Sequence, residues 1–104
     1  MIYFQTNMMM SPGKSQEFNE ILGQHLAPVM DKYGGKLIGS WETAVGTLNE
    51  ITDLWAFNSM GHFEEAMKSF GRDPELRPYL ITLQSLVVSE TMKLLRPLPC
   101  SPLK

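Results

Sequence analysis

The sequence predicts an α+β fold, a single antiparallel sheet covered on one face by helices. The elements run strand, helix, strand, strand, helix, strand. Three observations carry this prediction. The apolar period changes from two residues to about 3.6 and back, twice along the chain. Most of these changes fall at clusters of Pro, Gly, Ser or Asn. And 104 residues make one domain, large enough to bury a core without disulfide or metal support.

The elements follow in order. Residues 2–10 form a strand with Ile2, Phe4, Thr6, Met8 and Met10 on one face and Tyr3, Gln5, Asn7 and Met9 on the other. Ser11-Pro12-Gly13-Lys14 ends it. From Ser15 to Tyr33 the spacing is helical, and Phe18, Ile21, Leu22, Val29 and Tyr33 share a stripe with His25. Pro28 lacks the amide that would bond to the Gln24 carbonyl, so a kink or an early helix end is expected. Gly34 and Gly35 stop this helix. Residues 36–45 and 50–57 are two strands joined across Val45–Glu50. Ser59 caps a second helix with Met60, Phe63, Met67 and Phe70 on its stripe, and Gly71 closes it. Asp73-Pro74 opens a further helical run through Leu76, Tyr79, Leu80 and Leu83, which Pro78 limits. Residues 86–96 form the last strand. One domain thus spans 1–96, and 97–104 form a proline-punctuated tail, expected to be extended and mobile.

Composition excludes several classes of function. A net charge of −2 offers no basic face for nucleic acid or an anionic membrane. No window approaches the roughly 18 apolar residues of a membrane span, and the N-terminal segment lacks the flanks of a signal peptide. One cysteine, Cys100, makes no intramolecular bridge and suits a cytoplasmic location. Both faces of several strands are apolar. Leu37, Trp41 and Val45 oppose Ile38 and Ala44, and Ile51, Trp55 and Phe57 oppose Leu54 and Ala56. An indole buries roughly 150–250 Å², so an open face carrying tryptophans wastes several kcal/mol at about 25 cal/mol per Å². A homodimer that covers this face is expected.

The segments "KLIGSWETAVGTLNEITDLWAF", "DPELRPYL" and "LVVSETMKLLRP" resemble the NIPSNAP family. The opening "IYFQTNMMMSPGK" falls at the family's first strand and Pro-Gly-Lys turn, so the resemblance covers nearly the whole chain. It implies a dimeric α+β barrel, in which two ferredoxin-like βαββαβ sheets face each other around a central cavity. The resemblance also implies charged residues at the places of Phe4, Thr6 and Thr91, where this chain carries apolar or neutral groups. Lys93 keeps a basic character.

Alternation selects a cavity-facing set of Phe4, Thr6, Met8, Trp41, Thr43, Asp53, Trp55, Phe57, Thr91 and Lys93, provided no bulge shifts the register. Of these, Trp41, Trp55, Phe57, Thr6 and Lys93 are the candidate ligand contacts. The two tryptophans fit either a packed interface or direct contact with a small apolar molecule. Asp53 lies between Ile51 and Trp55 in alternation, where a carboxylate needs a partner or titrates high. It is the candidate general base, or else an Asp bonded to backbone amides or Lys93. Glu90 falls on the opposite face by alternation. His25 reads as a half-buried histidine bonded to a carbonyl, and His62 as an exposed residue in the first turn of its helix. No metal-ligand spacing, nucleophile elbow or phosphate-binding glycine loop occurs, so neither metal nor cofactor is expected. Three functions remain: a dimer that binds a small apolar molecule or serves as an interaction module, a cofactor-independent monooxygenase- or isomerase-like enzyme acting on an aromatic or lipid-like substrate, and a packed scaffolding dimer.

Overall fold

The computed structural model describes residues 1–104. Strand β1 (Ile2–Met10) leads through a Pro-Gly turn into helix α1 (Ser15–Ile21), a π-helical turn (Leu22–Leu26) and helix α2 (Ala27–Lys32). Strands β2 (Lys36–Glu42) and β3 (Glu50–Phe57) follow, then helices α3 (Met60–Arg72) and α4 (Arg77–Leu86) and strand β4 (Val87–Leu95). The four strands pair antiparallel in the order β2-β3-β1-β4, with the helices on one face. This is the ferredoxin-like arrangement expected from the order of elements.

Pro28 does not end the first helix. The π turn precedes it, closed by the Ala27 N–H on the Leu22 carbonyl, and Pro28 then falls in the first turn of α2. An amide missing there disturbs the ladder least, and π turns serve as local adjustments of this kind. Ser59 caps α3 as expected, accepting the His62 N–H at 3.1 Å. Asp73 accepts the Glu75 N–H at 2.9 Å within a turn, and α4 starts only after Leu76, with Pro78 in its first turn. Strand β2 ends at Glu42, earlier than alternation indicates, because Gly46 and Asn49 adopt positive φ in the connection.

The core lies between sheet and helices. Phe57 and Leu76 are wholly buried in it, and the Phe63 ring of α3 meets Phe4 at 5.0 Å and Phe57 at 5.2 Å. Each such aromatic pair contributes about 0.5–1.5 kcal/mol beyond area burial. A polar bracket ties the end of α2 to the α3–α4 turn. Lys32 Nζ donates to Asp73 Oδ2 at 2.9 Å, and the Tyr33 hydroxyl donates to the same oxygen at 2.5 Å.

Two bulges set which residues share a face. In β2, Leu37 pairs with Trp55 and Gly39 with Leu54, so Ile38 is an extra residue. In β4, Ser89 pairs with Met9 and Val87 with Met10, so Val88 is extra. The β2 bulge reverses the strand beyond it. Trp41 therefore pairs with Thr52 on the outer face and does not share the Trp55 side. The tail turns where the Ser101 N–H bonds to the Leu98 carbonyl, and Leu98 and Leu103 lie beside Tyr3 and Leu54 on the outer face.

Candidate functional site

The register of the central strands builds a mixed floor on the helix-facing side of the sheet. Phe4 pairs with Trp55, Thr6 with Asp53 and Met8 with Ile51. On the other side of β1, Thr6 pairs with Met92 and Met8 with Glu90. Above this floor Phe18 of α1, Leu22 and Leu26 of the π turn and Met30 of α2 form one wall. Met67 and Phe70 of α3 and Leu80, Leu83 and Gln84 of α4 form the other. The space enclosed is about 340 Å³, at the lower end of the range for small-molecule sites. Its lining is apolar except for Thr6, Asp53, Gln84 and Glu90.

Asp53 is 2% exposed and takes the Ser40 hydroxyl on Oδ1 at 2.5 Å. The β2 bulge supplies this partner, because it turns Ser40 onto the Asp53 side. Burial raises the Asp53 carboxyl above its ordinary value; the Ser40 hydrogen bond opposes the rise and the Glu90 charge adds to it. Glu90 stands at the open, β4 side, and desolvation raises its carboxyl as well. Thr6 is 5% exposed, and no protein group hydrogen-bonds its Oγ1. Buried hydroxyls without partners are rare, and this one faces a cavity. No Lys, Arg or His lines the cavity.

The structure thus gathers Phe4, Thr6, Met8, Asp53 and Trp55 as alternation indicates, but against the helices and not toward an opposing sheet. Phe57 shares their face and is sealed beneath Phe63, outside the cavity lining. Trp41 and Lys93 do not join them. Trp41 is 55% exposed, its ring lying over Gly39 of the outer face, and Lys93 pairs with Gln5 on that same face. Thr91 pairs with Asn7 there too, and Thr43 lies beyond β2, its hydroxyl on Glu50 at 3.3 Å. Glu90, assigned to the far face by alternation, belongs to the cavity, because pairing with Met8 fixes the phase of β4. The partner of Asp53 is Ser40, neither a backbone amide nor Lys93. His25 stacks on Tyr79 at 3.8 Å instead of bonding a carbonyl, and the His62 ring lies 2.8 Å from the Ser59 hydroxyl at the exposed start of α3.

No His, Cys, Asp and Glu side chains cluster in a way that holds a metal ion. No helix is long and apolar enough to cross a membrane. A second groove of about 380 Å³ runs along β2 against α1, bordered by Ser15, Gln16 and Glu42; it holds no buried titratable group.

Comparison with known proteins places this arrangement. A NIPSNAP domain protein from Burkholderia xenovorans superposes with a TM-score of 0.88 at 22% identity, covering 98% of this chain and 99% of that one. A NIPSNAP family protein of unknown function from Agrobacterium tumefaciens gives a TM-score of 0.90 at 23% identity, over 100% and 94%. A candidate antibiotic biosynthesis monooxygenase from Nitrosomonas europaea shares the fold at a TM-score of 0.70 and 9% identity, over 94% and 99%. No curated protein matches the chain. The NIPSNAP family model itself matches residues 8–102. That match runs from the last residues of β1, through both bulged edge strands, into the tail, and by it the chain belongs to the NIPSNAP family.

Proposed function

We propose that this NIPSNAP chain binds a small, largely apolar molecule in the cavity between helices and sheet, and does so as a homodimer. The observation that carries the binding reading is the cavity floor, where a buried Asp53 and an unpartnered Thr6 hydroxyl face about 340 Å³ of apolar-walled space. Sites of this kind combine an apolar body pocket with a few converging polar groups. Native mass spectrometry of the gently purified protein tests it. A stoichiometric added mass is expected, lost in Leu83→Trp, which fills the cavity. A bare polypeptide mass for both proteins refutes the reading.

The dimer rests on a different feature. Strand β4 is an unpaired edge, and its Val88, Met92 and Leu94 are exposed, as are Ile38 and Trp41 on the other edge strand. Exposed apolar edges of this length favour pairing with a second chain. Sedimentation at micromolar concentration should show twice the chain mass; monomer alone removes this half of the proposal. An interaction module built on the same surfaces is compatible with it, and the free, exposed Cys100 accords with a reducing cytoplasm.

A second reading is favoured by the carboxyls. Burial raises Asp53, and a carboxylate held high in an apolar site suits a general base in cofactor-independent oxygenase or isomerase chemistry. Trp55 would then lie against an aromatic substrate. Asp53→Asn must abolish turnover while leaving the dimer intact; unchanged turnover excludes Asp53 from that role.

A further inference from the structure

The polar groups of the cavity are all acceptors or neutral, which narrows what the ligand's head can be. Thr6 sits at the centre of the arrangement. Asp53 is directly across from it on β3, while Glu90 lies diagonally from it on β4, one residue pair along. Directly opposed residues bring their Cβ atoms to about 5 Å and diagonal ones to about 7–8 Å, within reach of a Glu side chain. Asp53 Oδ1 is taken by the Ser40 hydroxyl, and its other oxygen has no protein partner. The helices add no charge, since their contributions to the lining are Phe18, Met30, Met67, Phe70, leucines and Gln84.

We propose that the ligand carries an amine, held as an ammonium between Asp53 and Glu90 over the Thr6 hydroxyl, on an apolar body enclosed by the helices. This rests on the cavity being the ligand site. An ammonium offers three donors and no acceptor. The floor supplies matching acceptors, the free Asp53 oxygen, the Glu90 carboxylate and the Thr6 lone pairs. Trp55, Phe4, Phe18 and Phe70 add aromatic surface able to attract a cation. An anionic head meets two carboxyls and no cation, so fatty-acid-like carboxylates are excluded. A neutral alcohol satisfies Thr6 but leaves the carboxyl charges without a counter-ion.

The free protein holds both carboxyls high, and an ammonium binds only their ionised forms. Affinity for an amine therefore rises with pH through the carboxyl range. It levels once Asp53 and Glu90 are ionised, these being the titratable groups that face the cavity.

Calorimetric titration of the full chain with phenylbutylamine, phenylbutanol and phenylbutyrate near neutral pH provides the test. All three share one apolar body. The amine should bind about tenfold or more tightly than the alcohol, the scale of a charge-assisted hydrogen bond, and the carboxylate should bind weakest. Asp53→Asn and Glu90→Gln should each remove most of the amine's advantage over the alcohol; the exposed position of Glu90 keeps the second variant folded. If the alcohol binds and the amine binds no better, the amine proposal fails while the cavity reading stands. If the carboxylate binds best, the proposal fails outright. If none of the three binds, the cavity reading fails with it.

Discussion

Removing the Thr6 hydroxyl should stabilise the protein. Thr6 is 5% exposed and its Oγ1 has no hydrogen-bond partner. An unsatisfied buried hydroxyl costs roughly 1–3 kcal/mol in proteins. Valine keeps nearly the same shape and β-branching in the centre of β1, and removes the polar atom. Thr6→Val should therefore gain about 1 kcal/mol or more, which for a domain of this size raises the melting temperature by about 4 °C. Urea unfolding followed by circular dichroism measures the gain, with an unchanged slope showing that the midpoint shift reports stability. Thr6→Ser, which keeps the hydroxyl and loses a buried methyl, should instead lose about 0.8 kcal/mol or more. The same Thr6→Val change should weaken amine binding, so stability and affinity move in opposite directions, as expected for a site that binding needs and folding does not. A Thr6→Val protein less stable than the parent would show that the hydroxyl is already satisfied, and the cavity floor would lose its main claim to be a binding site.

Other consequences concern charge and packing. Burial raises the Asp53 carboxyl above its ordinary 3.8, so its contribution to stability is full below that value and is lost as pH rises through the folded-state value. Asp53→Asn should match the parent in acid and exceed it progressively toward neutral pH, measured by melts across the range; a constant difference would contradict this. Asp73 behaves oppositely. The Tyr33 hydroxyl and then Lys32 lower its carboxyl to about 2, so its contribution is present above 3.8 and is lost as pH falls toward 2. Asp73→Asn should flatten the acid limb of the stability profile in that window, and an unchanged limb would remove the bracket from the account. At Gly35 an added Cβ would lie 2.6 Å from the buried Phe57 ring and from Met30, so Gly35→Ala should cost about 1–3 kcal/mol in urea unfolding; a neutral result would mean that these side chains yield freely.

The fold was legible in the sequence because period and punctuation agree at each element. Ser59 as a cap, Gly34-Gly35 as a stop and the alternation of β1 all give local signals that tertiary packing leaves in place. The candidate site was legible only in part. Alternation grouped Asp53, Thr6 and Trp55 on one face because they belong to the two central strands, whose regular pairing preserves it, although that face meets the helices and not an opposing sheet. Trp41, Lys93 and Glu90 fall on the side of the sheet opposite to their expected place relative to Asp53 and Trp55, because they lie on edge strands, where phase is set by pairing and by extra residues at Ile38 and Val88. A bulge leaves no composition signal in an apolar run such as Leu37-Ile38. The Ser40–Asp53 hydrogen bond depends on that bulge and was invisible for the same reason. Pro28 does disturb the helix, but as a π turn ahead of it, a form that the missing amide alone does not specify.

The bulge in β2 also provides the most direct test, because it leaves one tryptophan on each side of the sheet. Trp55 is buried at the cavity, while Trp41 is exposed on the outer face. Single-tryptophan proteins made by Trp41→Phe and Trp55→Phe can be titrated with phenylbutylamine while fluorescence is recorded. Binding in the cavity should give a saturable change in the protein that retains Trp55 and none in the protein that retains Trp41. A response confined to Trp41 would place binding at the β2 edge, in its groove against α1 or on the outer face, and refute the cavity as the ligand site.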